Sequence, residues 1–133
     1  MAEKALTIAK YIVSKCSREG RPATGLALQK MLYDAQKATL CSTGEPVFVD
    51  DFEAWDLGPI IPDVYWYFYG FGSMPIDMTY DVAVDSGHKK LIDQTIENSR
   101  MLKPWELAKA MCRKNSAWDK VYDNGRGKIS DYF

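Results

Sequence analysis

Leu28-Gln29-Lys30-Met31-Leu32-Tyr33-Asp34-Ala35-Gln36 carries two helical faces at once. Leu28, Met31, Leu32, Ala35 and Thr39 recur at i, i+3, i+4, i+7 and i+11, one apolar stripe that faces a core. Gln29, Tyr33 and Gln36 recur at i, i+4 and i+7 on a second, polar face. Thr24 supplies an N-cap hydroxyl, and Ser42-Thr43-Gly44 closes a helix that runs to about Leu40. Amide and phenol groups on a face beside a core stripe serve one of two ends. They form a buried hydrogen-bond network, here against Glu53 and Trp55, or they face a partner.

Upstream, Ala5, Ile8, Ala9, Ile12, Val13 and Cys16 form a first helical stripe, stopped by Ser17-Arg18-Glu19-Gly20-Arg21-Pro22. Downstream, Val47-Phe48-Val49 and Phe52-Glu53-Ala54-Trp55 are short β-like pieces around Asp50-Asp51, expected as a small hairpin or an extended arm. Leu57-Gly58-Pro59 reads as a turn or loop, and Pro62 suits the first position of a helix. Val64 to Phe71 fits a strand or a buried helix on periodicity alone, and Asp63 before it with Gly70-Phe71-Gly72 after favours a helix of about two turns. Residues 73–85 read as a loop with one strand near Met78–Val84. Asp85 or Ser86 caps a helix bearing His88, Leu91, Ile92, Thr95, Ile96 and Ser99 on one side. Pro104 opens a further helix with Trp105, Ala108, Met111 and Cys112, and Ser116-Ala117-Trp118-Asp119 resembles a capping box. The expectation is a mainly α, compact single-domain helical fold over residues 1–133 with a small β-hairpin or extended arm.

The chain has 133 residues, 47% hydrophobic and 26% charged, ordinary values for a globular domain. A chain of this length buries about two-thirds of its surface, enough for a core without disulfides. No apolar stretch approaches the roughly 18 residues of a membrane span. Lys4, Lys10 and Lys15 interrupt the first helix, which excludes a secretory signal there. Cys16, Cys41 and Cys112 are odd in number and widely spaced, and read as reduced thiols in a cytoplasmic protein.

The net charge of −1 conceals a segregation. Residues 1–37 carry +4 and residues 88–133 carry +4, while residues 38–87 contain nine acids and no Lys or Arg. Such blocks either pair within the fold or present an acidic face to a basic partner.

Catalytic and metal motifs are sparse. The single histidine, His88, has no sequence partner to orient it as a base. Three dispersed cysteines and one histidine give no zinc spacing. Asp50, Asp51, Glu53 and Asp56 are the one cluster suited to acid–base work, and a carboxylate-dependent hydrolase is the least favoured reading. The expectation is a non-enzyme without cofactor or metal.

Aromatic residues say more. Seven of 17 lie between Trp55 and Phe71: Trp55, Tyr65, Trp66, Tyr67, Phe68, Tyr69 and Phe71. Either all seven rings pack inside, or, since an isolated helix cannot bury every face of such a segment against one core, some stay at the surface, where Trp and Tyr anchor protein interfaces. Base stacking would need interleaved Lys or Arg, and residues 38–87 have none, which disfavours nucleic acid. The expected partner-binding residues are Gln29, Tyr33, Gln36, Glu53, Trp55, Tyr65, Trp66, Tyr67 and Tyr69. The oligomeric state is left open.

Three blocks together resemble the Panacea domain family, also called the Soc-type antitoxin domain family and found among phage-associated proteins. Leu28 to Gln36 is similar to its "LQKLLYYAQ" helix. Phe52-Glu53-Ala54-Trp55-Asp56-Leu57-Gly58-Pro59-Ile60-Ile61-Pro62, continuing through Val64-Tyr65, is similar to its "EAWxxGPVVPxVY" block. Trp105-Glu106-Leu107, Ser116-Ala117-Trp118 and Tyr132-Phe133 resemble its C-terminal signature, in which Met111-Cys112-Arg113-Lys114 and Ala117 depart from the family pattern. The resemblance implies a small, mostly helical domain that neutralises a cognate protein toxin by direct binding. It also implies an alternative, a proteolytic adaptor that delivers the toxin to a protease.

Overall fold

The computed structural model describes residues 3–100. Four helices carry the fold: α1 (Ala5–Arg18), α2 (Gly25–Thr43), α3 (Pro62–Tyr67) and α4 (Ser86–Ser99). Between α2 and α3 lies an antiparallel pair, β1 (Glu53–Trp55) and β2 (Gly58–Ile60), and a 3₁₀ turn, Tyr69–Phe71, follows α3. The fold is mainly α.

Each long helix begins at a cap. Thr24 Oγ1 accepts from the Ala27 N–H at 3.2 Å, and Asp85 Oδ1 accepts from the Gly87 N–H at 2.8 Å. The cap of α1 comes from far along the chain, where Asp50 Oδ1 accepts from the Ala5 N–H at 2.8 Å. Helix α2 ends at Gly44, whose φ of 77° lets its N–H turn back to the Leu40 carbonyl at 2.9 Å.

The inward stripes of α1 and α2 meet Ile92 and Ile96 of α4 in one core, which Phe48, Phe52, Ile61, Val64, Phe68 and Ile76 complete. At the far end Arg100 bonds Glu19 at 2.6 Å and Glu97 at 2.7 Å, tying the end of α4 to the end of α1.

The hairpin is not where the sequence pattern places it. Glu53 pairs with Ile60, Ala54 with Pro59 and Trp55 with Gly58, so the turn is Asp56-Leu57 rather than Asp50-Asp51. Gly58, at φ 115°, holds a backbone conformation that other residues resist, which lets the chain reverse after Asp56-Leu57 so that Gly58–Ile60 pairs with Glu53–Trp55 in place of a loop. Phe48 forms a single parallel bridge with Glu3 instead. No strand forms at Met78–Val84. The backbone there finds hydroxyls in place of a neighbouring strand. Ser14 Oγ takes the Tyr80 N–H at 2.7 Å and reaches the Tyr80 carbonyl at 3.3 Å. Ser17 Oγ does the same between the Met78 N–H and the Ile76 carbonyl, both at 3.1 Å. The expectations at Pro104, Trp105, Cys112, Ser116-Ala117-Trp118-Asp119 and Tyr132-Phe133 lie outside the described residues.

Candidate functional site

The nine residues singled out for partner binding separate into an interior set and a surface set. Gln29 is 2% exposed and Gln36 4%. Gln29 Nε2 donates to the Ile61 carbonyl at 3.2 Å while its Oε1 accepts from the Ile61 N–H at 2.9 Å. Gln36 Nε2 donates to the Phe48 carbonyl at 2.9 Å, and its Oε1 accepts from Val47 at 2.9 Å and Phe48 at 3.4 Å. The two glutamines are thus buried and hydrogen-bonded, with backbone groups of Val47, Phe48 and Ile61 as their partners in place of Glu53 and Trp55. A side-chain amide carries one donor and one acceptor at the spacing of a peptide unit, so it stands in for a missing strand. Tyr33 is also inside, edge-on to Phe52 with ring centres 5.6 Å apart. These three side chains are buried in the fold.

The surface set is aromatic. Trp66 and Tyr69 are each 59% exposed and Tyr67 48%, while Trp55 and Tyr65 are half-buried. Helix α3 supplies Tyr65 and Trp66, the 3₁₀ turn after it supplies Tyr69, and the hairpin brings Trp55 against them. Trp55–Tyr65 and Tyr65–Trp66 ring centres are both 5.0 Å apart, and Trp66–Tyr69 is 5.2 Å. The four rings form one contiguous cluster with edge and tilted contacts. Tyr67 points elsewhere, to Phe68 at 4.9 Å and toward Tyr80, with the Lys10 ammonium 5.0 Å over its ring. Burial and the neighbouring Tyr67 raise the Tyr80 hydroxyl above its ordinary value.

A cavity of about 480 Å³ opens beside the cluster, between the start of α2, the hairpin and α3. Leu26, Leu57, Ile60, Val64, Phe68 and Tyr69 are among the residues of its wall. Sequence reasoning missed Leu57, 46% exposed at the hairpin tip, and missed the cavity, because its wall comes from three separated segments. An apolar residue between Asp56 and Gly58 in a tight turn was the available signal for Leu57.

The acids of the middle segment do different jobs. Asp50 caps α1, and Glu53, exposed on β1, accepts from Trp55 Nε1 at 2.9 Å and fixes that indole. Among the described residues no three His, Cys, Asp or Glu side chains gather closely enough to hold a metal ion. His88 is half-buried in the first turn of α4. Cys16 is buried, which pushes its thiol up, whereas Cys41 is exposed near the end of α2. Among the described residues no helix is long and apolar enough to cross a membrane.

Comparison with known proteins agrees with the helix and hairpin blocks. The family model described as Antitoxin SocA-like, Panacea domain, matches residues 28–119. Antitoxin SocA of Caulobacter vibrioides (strain NA1000 / CB15N) is 38% identical over 68 residues, 51% of this chain and 36% of that protein. The match therefore spans about a third of that relative's length. No solved structure matches the chain. With more than half of its length under the family model, the chain belongs to the Antitoxin SocA-like, Panacea domain family.

Proposed function

We propose that the chain is an antitoxin that neutralises a cognate protein toxin by stoichiometric contact through Trp66, Tyr69, Trp55 and Tyr65. The observation that carries this reading is the exposed four-ring cluster, held on one side by α3 and on the other by the hairpin. Large rings with few rotatable bonds, already ordered by one another, lose little entropy on binding and bury much area. The acids of residues 38–87 favour a basic partner and speed its approach. Membership of an antitoxin family supports the same class of partner.

The test is a tagged capture from the native host, with the mass of the eluted complex measured and its components identified. One small protein at fixed stoichiometry, lost on Trp66→Ala or Tyr69→Ala and toxic when expressed alone, is the expected result. Loss of that protein only when a protease is present would instead favour delivery to a protease. Recovery of the chain by itself would overturn the reading.

A further inference from the structure

We infer that the cavity beside the ring cluster receives the apolar side chains of a peptide segment flanked by Lys or Arg. This rests on the reading that the chain works by binding another protein, and it names the chemistry of the segment that enters. Among the described residues, none of those lining the cavity carries a charge. Of its polar side chains, the Thr24 hydroxyl already caps α2 and both amide atoms of Gln29 bond Ile61, while the hydroxyls of Tyr65, Tyr69 and Ser73 stand among apolar neighbours. The occupant is therefore mainly apolar where it is buried. A cavity of about 150 Å³ holds benzene, so about 480 Å³ has room for roughly three groups of that size.

The charge around the cavity selects the flanks. Asp56 precedes Leu57 of the wall, Asp63 precedes Val64, and Glu53 pairs across the hairpin with Ile60. The segments that supply the hairpin and α3 contain no Lys or Arg. Lys30, next to Gln29, is turned to Asp34 at 2.6 Å. A segment with large apolar residues and neighbouring cations is complementary at both levels, whereas an acidic one meets like charge. Tyr65 and Tyr69 belong both to the wall and to the ring cluster, so cavity and cluster form one surface.

The probe is a random peptide library displayed on phage, selected against the full chain. Enriched peptides should pair two or more large apolar residues with Lys or Arg. Their affinity should fall at least tenfold in Leu26→Trp and in Ser73→Trp, which fill the cavity from two different segments, while Met74→Ala binds as the wild type does. Affinity should also fall severalfold at about 1 M salt, where the screening length is about 3 Å. Circular dichroism shows whether each variant is folded, and the composition of the wild-type selection needs no variant at all. No enrichment, acidic or uncharged consensus peptides, or binding indifferent to both tryptophans would overturn the inference. If peptides fail while a whole protein is still captured and lost on Trp66→Ala, the cavity inference falls and the antitoxin reading stands. If peptides bind as described and no toxin is neutralised, the antitoxin reading falls alone.

Discussion

Gln29 and Ile61, 32 residues apart, exchange two hydrogen bonds in the interior, the amide of one reading the backbone N–H and C=O of the other. Ile61 is the residue that joins the hairpin to α3, so this pair sets where the aromatic segment starts. Gln29→Leu leaves the Ile61 N–H buried and unpaired, at about 1–3 kcal/mol, while the Ile61 carbonyl keeps its bond from the Tyr65 N–H at 3.0 Å. Urea unfolding should show a loss of about 1–3 kcal/mol. An unchanged midpoint would mean that water replaces the amide.

Asp50→Ala removes the cap from the first turn of α1 and should cost about 1 kcal/mol, visible in the same unfolding experiment. Partner binding, measured well below the melting temperature, should stay as in wild type. A catalytic Asp50 would give the opposite pattern, with full stability and no function.

Trp66→Ala removes a ring that is mostly in water, so stability should change by no more than about 1 kcal/mol. Capture of the partner should weaken by about 2 kcal/mol or more, roughly thirtyfold. Tyr67→Ala should weaken it far less, since Tyr67 faces Tyr80 and Lys10 rather than the cluster. Calorimetric titration of the two variants separates these outcomes.

Hydrogen bonds from Lys15 and Arg100 hold the Glu19 carboxyl below its ordinary value of 4.5. A depressed folded value means that the stabilisation is complete above 4.5 and is lost as pH falls through the folded value. Between about pH 6 and about pH 3 the wild type should lose more stability than Glu19→Gln, which has no charge to lose. Parallel slopes for the two proteins would assign acid sensitivity elsewhere.

Alkylation by iodoacetamide should mark Cys41 rapidly in the native chain. Cys16 lies in the core with its thiol pushed up, and should react only once the chain unfolds. Peptide mapping by mass spectrometry distinguishes the two sites.

The helices were legible in the sequence because their signals are local. The stripe from Ala5 to Cys16, the Thr24 cap and Pro62 at the first turn each report on a few neighbouring residues. The polar face of α2 was legible as a face, with burial as one of its two ends, but its backbone partners at Val47, Phe48 and Ile61 were not. The hairpin turn was displaced for the same reason. Asp50-Asp51 has turn chemistry, yet Asp50 is held by Ala5, a contact no local pattern announces. Of the site, the crowding of rings between Trp55 and Phe71 was visible. Their division into a cluster and an outlying Tyr67 depends on the rotation of α3 against Trp55 and Tyr80.

Helix α1 is made early and completed late. Its start waits for Asp50, its two serines for Ile76 and Tyr80, and Tyr11 for Asp93, at separations of 45, 59, 66 and 82 residues. At about 5–20 residues per second, a ribosome takes on the order of several seconds to deliver all of them. For that interval the nascent chain exposes an apolar helix with open hydroxyls, and a chain cut short before Tyr80 never leaves this state.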